Sequence, residues 1–325
     1  MAASLGVDVS TVSRVLNGSR DEALRAASPE TADRIRAHAA LVGYRPDPHA
    51  TGLRTQRSGL VAVIVPRLSD GVLALLVEGI ESEARKAGLA VFAMSSHDDP
   101  EDQTERVATA LGRRVDGLIV ADARLDTPLP TSLLRGDTPF VLANRRLPDN
   151  SAVTGDDVLG GRLVAEHLVA SGRSRLAVIG GPPYASTAVD RVSGFVASVR
   201  ATGLDLPDER VVDSGFDIAS GRDAMQTILQ NDPDVDAVFA VDDYAAIGAS
   251  SVARAHGRVI GKDLAVVGYN DTPVAAELEV ALSSVAHPTF ELGRAALLSL
   301  SAMMTGAPPR DETMQPTLIV RDSSR

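Results

Sequence analysis

Side chains able to do catalytic chemistry are scattered through this chain without the spacing that chemistry needs. The six histidines (His38, His49, His97, His167, His256 and His287) form no i,i+4 pair and no metal-ligand pattern. Cysteine is absent, which removes disulfides, thiolate nucleophiles and Cys-based zinc sites together. There is no G-x-S-x-G elbow, Walker A loop or H-E-x-x-H motif. Gly261-Lys262-Asp263 lacks the upstream glycine and the hydroxyl of a phosphate loop, and neither Gly160-Gly161 nor Gly180-Gly181 belongs to a dinucleotide fingerprint. No enzyme, metal or cofactor is expected. The spacing that carries meaning is one of recognition. Between Leu5 and Gly18 a glycine turn precedes a short helix, capped by Asp8, that exposes Ser10, Ser13 and Arg14 and turns Val12, Val15 and Leu16 inward. This is the layout of a helix-turn-helix recognition helix, and equally that of any capped amphipathic helix.

The elements that would position these residues are legible from periodicity. Ser28-Pro29-Glu30 starts a helix on which Ala32, Ile35, Ala39 and Val42 repeat, and Gly43 ends it. Tyr44-Arg45-Pro46-Asp47-Pro48 cannot continue a helix. From there strands and helices alternate. Strands are expected at 60–65, 89–94, 117–121, 140–143, 176–180, 210–213, 237–241 and 264–267. Helices are expected at 72–87, 101–113, 158–170, 187–201, 219–229 and 244–255. Strands separated by helices imply parallel sheets covered on both faces, and two successive runs imply two doubly wound lobes. A ligand would bind beyond the carboxyl ends of the strands, between the lobes.

Composition sets the class. The 325 residues are 44% hydrophobic and 23% charged, ordinary for a globular chain of about two domains. No apolar run reaches 18 residues, and MAASLGVDVS lacks the basic and apolar regions of a secretory signal, so a soluble cytoplasmic protein with no membrane partner is expected. The net charge of −11 hides an asymmetry. Residues 1–58 carry eight Arg against six acids, +2, and the remainder carries −13. A mildly basic head on an acidic body hints at a head that touches DNA.

The wording of the head goes further. Val9-Ser10-Thr11-Val12-Ser13-Arg14-Val15-Leu16-Asn17-Gly18 resembles the DNA-binding signature of the LacI/GalR family of bacterial transcription regulators. Tyr44-Arg45-Pro46-Asp47 with Ala50 and Leu53 resembles the family's hinge. Arg114-Val115-Asp116-Gly117-Leu118-Ile119, Gly180-Gly181-Pro182 with Ser186, Thr187 and Arg191, Val238-Phe239-Ala240 with Asp243, Val266-Val267-Gly268-Tyr269-Asn270-Asp271 and Val320-Arg321-Asp322-Ser323 follow in family order. The resemblance implies a helix-turn-helix head at 1–58, with its hinge at 46–57, and a periplasmic-binding-protein-like effector domain at 59–325. The first lobe would span about 59–156 and 287–317, the second about 157–286 and 318–325. It also implies a homodimer on operator DNA. Val9, Ser10 and Arg14 would read bases, Thr11, Ser13 and Asn17 would contact phosphates, and Leu53 would wedge into a minor-groove step.

Four features depart from the family pattern. Met1 falls inside the expected first helix, which implies that the natural start lies upstream or that the head is weakened. Ser19–Ser28 is a longer loop than usual. Thr51-Gly52 sits where better helix formers are usual, and Asp47 replaces an asparagine.

For the effector, the resemblance and the chemistry of the side chains together name Asn144, Arg145, Arg191, Phe216, Asp243, Asn270 and Asp271. Asp243 could instead cap a helix, and Arg191 could pair with Asp190 or another surface acid. Such a set suits a polyhydroxylated, sugar-like effector, although Val72 and Leu73 stand where many sugar-binding relatives carry aromatics and only ten aromatics occur in the chain. The expected function is an effector-switched transcriptional regulator, a repressor. The rivals are a transport-type solute-binding protein, an enzyme on a doubly wound scaffold, and a sensor that no longer binds an operator.

Overall fold

A computed structural model of the protein describes residues 1–17, 20–44 and 57–325. They form two compact units, Met1–Gly59 and Leu60–Arg325. In the first, a single helical turn, Ala2–Leu5, ends at Gly6, whose φ of 66° is the left-handed conformation glycine tolerates. Val9–Asn17 follows, then Arg20–Ala26 and Pro29–Leu41. The stretch expected as a long loop, Ser19–Ser28, therefore contains a helix. Asp21 and Glu22 lie in its first turn and Arg25 in its last, which suits the helix dipole, and Ala23 is buried. Ser28 caps the next helix by accepting from the Thr31 amide, with Pro29 at the first helical position. Val12, Val15, Ala32 and Ile35 make the core, and Met1, Ala2 and Leu5 pack against it. Tertiary contact thus holds a turn too short to persist alone. Leu53, Asp47 and Thr51-Gly52 lie outside the described residues.

The second unit holds twelve described strands: β1 (Leu60–Val65), β2 (Ala90–Ser95), β3 (Gly117–Val120), β4 (Phe140–Ala143), β5 (Ala152–Gly155), β6 (Leu176–Ile179), β7 (Val211–Val212), β8 (Ala237–Ala240), β9 (Ala265–Tyr269), β10 (Ser283–Ala286), β11 (Glu312–Met314) and β12 (Thr317–Ile319). They build two six-stranded sheets, ordered β11-β5-β4-β3-β1-β2 and β12-β10-β9-β8-β6-β7. All pairings are parallel except β10 with β12. The chain crosses between sheets after β5, after β10 and between β11 and β12, so Thr317 already pairs in the second sheet, opposite Ala286. Each sheet has its own cores on both faces. Periodicity did not reveal β5, β10, β11, β12 or the helix Thr289–Met303. The strands are three or four residues long. The helix buries Leu292, Ala295, Ala296, Leu297 and Leu300 while Leu298 stays exposed, so no clean polar face marks it.

Helices pack in pairs through reciprocal glycines. A Cβ on Gly79 would strike the Phe290 carbonyl, and one on Gly293 the Leu76 carbonyl. Gly161 and Gly194 meet the carbonyls of Arg191 and Val158 in the same way, as Gly221 and Gly248 meet those of Ala245 and Ile218. Backbone against backbone at this range tolerates no side chain. Gly194→Ala should therefore destabilise the protein by about 1–3 kcal/mol in urea unfolding. Gly112→Ala, where a Cβ meets nothing within 4 Å, should be neutral or stabilising by up to about 1 kcal/mol. Equal effects of the two would refute the packing account.

Candidate functional site

Two sites take shape. In the head, Asp8 accepts from the Ser10 amide at 2.7 Å and starts the Val9–Asn17 helix; the Ser10 side chain, together with this amide, holds its carboxyl below the usual range. Val12 and Val15 are buried, while Val9, Ser10, Ser13 and Arg14 are exposed and Thr11 and Asn17 are half-buried. Positions 10, 13, 14 and 17 share one helical face, the i, i+3, i+4, i+7 spacing. A three-residue turn, Gly6–Asp8, joins this helix to the preceding turn. The result is an exposed polar ridge on a short, rigidly docked helix, of a size to enter a major groove.

In the body, a cleft of about 570 Å³ opens between the lobes. Its walls are the loops that follow strands, as doubly wound sheets dictate. From the first lobe come Arg67, Asp70, Val72 and Leu73 after β1, Asp98 after β2, and Asn144 and Arg145 after β4. From the second come Tyr184 and Thr187 after β6, Phe216 and Asp217 after β7, Asp242 and Tyr244 after β8, and Asn270 after β9. Arg191 lines the floor and is only 3% exposed. Its Nε donates to Asp157 Oδ1 at 2.8 Å and its Nη1 to the Val241 carbonyl at 2.8 Å. Its guanidinium also stacks 3.7 Å over the Tyr269 ring. Arg145 is held bidentate by Asp98 at 2.6 and 3.0 Å.

The lobes touch directly at one rim. Arg146 donates bidentate to Asp190 at 2.8 and 2.6 Å, and its amide donates to Ser186 Oγ at 2.9 Å. The Leu125 amide donates to the Tyr184 carbonyl at 2.8 Å, and Arg124 lies 3.5 Å over the Tyr184 ring. Arg146 and Tyr184 thus fasten one lobe to the other.

Of the residues expected to meet an effector, Asn144, Arg145, Arg191, Phe216 and Asn270 come together in this cleft. Asp243 and Asp271 do not. Asp243 is fully buried. Its carboxylate accepts from the Thr272 amide and hydroxyl at 2.7 and 2.8 Å and from Ser284 Oγ at 2.6 Å, stitching a helix start to β9 and β10. The helix cap is its neighbour Asp242, which accepts from the Tyr244 amide. Asp271 turns to Arg321, 2.6 Å away. The partner of Arg191 is Asp157, not Asp190. Residue chemistry alone overlooked Asp70, Asp98, Asp217, Asp242, Tyr184 and Tyr244. A usable signal existed for three of them: Asp70, Asp217 and Asp242 each stand immediately before a helix that follows a strand. Aromatics are few in the chain, yet Tyr184, Phe216 and Tyr244 gather here.

Comparison with known proteins agrees with this geometry. Residues 58–324 match the family described as periplasmic binding proteins and sugar binding domain of LacI family. The chain is 33% identical to the HTH-type transcriptional regulator CelR of Thermobifida fusca over 99% of its length and 94% of that protein. It is 27% identical to the HTH-type transcriptional repressor CytR of Escherichia coli K12, covering 98% of this chain and 93% of that one. The solved complex of the transcriptional regulator CelR with cellobiose superposes with a TM-score of 0.78 at 32% identity, over 99% of this chain and 98% of the other. Among the described residues no helix is long and apolar enough to cross a membrane.

The cleft acids are tuned by their surroundings. Burial, reinforced by the charges of Asp243 and Asp70, pushes Asp242 up to about 8. Burial also raises Asp70, against the hydrogen bonds of its own cap. The folded state therefore holds a proton on Asp242 that the unfolded chain releases near its ordinary value of 3.8, and this contribution to stability is lost as pH rises toward 8. Asp242→Asn keeps the cap chemistry without the titration. The melting temperature of the variant minus that of the parent should climb from pH 5 to pH 8 and then level off. A difference independent of pH would contradict the buried-proton account.

Proposed function

This chain belongs to the LacI family, and on that footing we propose that it is a repressor whose grip on operator DNA is switched by a sugar-like effector bound between its lobes. One observation carries the reading: a single chain joins a helix with an exposed Ser10–Ser13–Arg14 face to a two-lobed cleft whose rim is fastened by Arg146–Asp190. A solute carrier would have no use for the first. The known complex of CelR with cellobiose supports a sugar as the ligand class.

The protein acts as a homodimer on a pseudo-palindromic operator. Val9, Ser10 and Arg14 read base edges; Thr11, Ser13 and Asn17 meet phosphates, and Leu53 wedges the minor groove. In the cleft, Tyr184, Phe216 and Tyr244 cover the apolar faces of a sugar ring. Asn144, Arg145, Arg191 and Asn270 orient its hydroxyls, with Asp70 and Asp242 accepting. The effector favours the closed lobes because it binds both walls at once, and only that difference in affinity can shift the equilibrium. Closing moves one lobe against its dimer mate and lowers operator affinity.

The test is selection of operator fragments with the full chain, followed by release with candidate sugars. No preference for any promoter fragment over random duplex would end the reading. Arg14→Ala should cost about 1–3 kcal/mol of operator affinity and flatten discrimination among operator variants in gel-shift titrations. A loss uniform across variants would reassign Arg14 to phosphate. Asp190→Asn breaks a pair whose arginine is 47% exposed, so effector affinity measured by calorimetry should fall roughly two- to fivefold. An unchanged affinity would remove the rim pair from the closing equilibrium.

A further inference from the structure

Helix N-termini are ready-made anion sites, because their unpaired amides and the helix dipole both favour negative charge. Three of them converge on the cleft: those of Gly71–Ala87 from the first lobe and of Ile218–Asn231 and Asp243–Ala255 from the second. In each, the place an anion would take is held by one of the protein's own carboxyl groups. Asp70 accepts from the Val72 amide at 2.9 Å, Asp217 from the Ser220 amide at 2.9 Å and Asp242 from the Tyr244 amide at 2.7 Å. The Asn270 side chain closes off the second oxygen of Asp242 at 2.8 Å. The helix Ser186–Ala201 has no side-chain cap, and there the cleft presents Thr187.

The cations are committed as well. Arg145 gives both terminal nitrogens to Asp98, and Arg191 is tied to Asp157 and the Val241 carbonyl. Arg67 lies in the field of Asp70 and Asp217, where it favours their charged forms. Four carboxyl groups and three guanidinium groups line the cleft, and the acid partner of Arg191 stands directly behind the wall. A hydroxyl can donate to Asp70 and accept from a guanidinium edge. A phosphate or carboxylate would find carboxyl groups holding three of the four helix starts at the cleft, with only that of Ser186–Ala201 lacking a side-chain cap.

We propose that the cleft selects an uncharged polyhydroxylated ligand and rejects its phosphorylated or carboxylated counterpart, because aspartates from both lobes occupy three of the four helix N-termini that would otherwise hold an anion. The inference rests on the reading of this cleft as the effector site and narrows its ligand class. A sugar altered before or during uptake by transfer of a phosphoryl group would pass unseen, while the same sugar in its free form would be sensed.

The experiment uses the full chain and matched pairs: cellobiose, maltose and trehalose, each against its 6-phosphate, by calorimetry and thermal shift at low ionic strength. The expected result is that at least one free disaccharide binds and that its phosphate ester binds at least 100-fold more weakly. The double variant Asp70→Asn, Asp217→Asn retains two good caps while removing two charges. It should narrow that gap at least tenfold, with unchanged circular dichroism as the control for folding. A phosphate ester that binds as tightly as its parent sugar, or a gap that the double variant leaves unaltered, would overturn the proposal. If such an ester also released operator, the effector reading would stand and only the charge selectivity would fall. Binding of neither class would overturn the proposal together with the sugar part of that reading, leaving its DNA-binding part to the operator selection.

Discussion

Arg191 and Asp157 meet at the floor of the cleft with side chains only 3% and 4% exposed, and much of the second lobe is arranged around that meeting. The arginine projects from the helix Ser186–Ala201, the aspartate begins the helix Asp157–Ala170, and the second guanidinium bond goes to the carbonyl just beyond β8. Tyr269, at the end of β9, supplies the ring beneath. Four elements thus converge on one charge pair at the floor of the cleft. Removing one partner from such a pair leaves an uncompensated buried charge, a loss of about 3–5 kcal/mol. The crossover between lobes lies directly before Asp157, so the same pair anchors the point from which the second lobe begins. His287, at the next crossover, is buried beside Tyr269. Burial pulls its imidazole down to about 4, so it serves this junction as a neutral ring.

Close helix pairing makes that convergence possible. Gly161 and Gly194 let the two helices bearing Asp157 and Arg191 approach backbone to backbone. The same device recurs between the helices that carry Asp217 and Asp242 at their starts, through Gly221 and Gly248. Each lobe therefore presents helix starts at the cleft from a stiff paired base. The lobes themselves are joined by something weaker, a partly exposed ion pair and a tyrosine gripped by an arginine. Rigid halves with a modest clasp are what a two-state receptor requires.

The alternation of strand and helix was readable because buried parallel strands are continuous apolar runs and their covering helices carry a 3.6-residue period. Phe140–Ala143 and Leu60–Val65 were bounded to the residue. Ser19–Ser28 was misjudged as loop because a seven-residue helix carries too little pattern to be seen. In the cleft, Arg191 and Asn270 were reached, but their partners were not: Asp157 lies 34 positions before Arg191, and nothing local ties them. Asp243 and Asp242 are adjacent acids of the same type. Which one faces the cleft is decided by Thr272 and Ser284 drawing Asp243 away.

What the order of residues determined by itself was local: the elements, their sequence, and the polar face of the Val9–Asn17 helix. Those follow from periodicity, capping and turn chemistry, which act over a few positions. Tertiary structure alone decided which acids cap helices at the cleft, which arginines were already neutralised, and why six glycines inside helices are needed rather than tolerated. Those depend on which carbonyl or carboxylate lies across a gap, and a gap closes only when segments far apart in the chain are packed together.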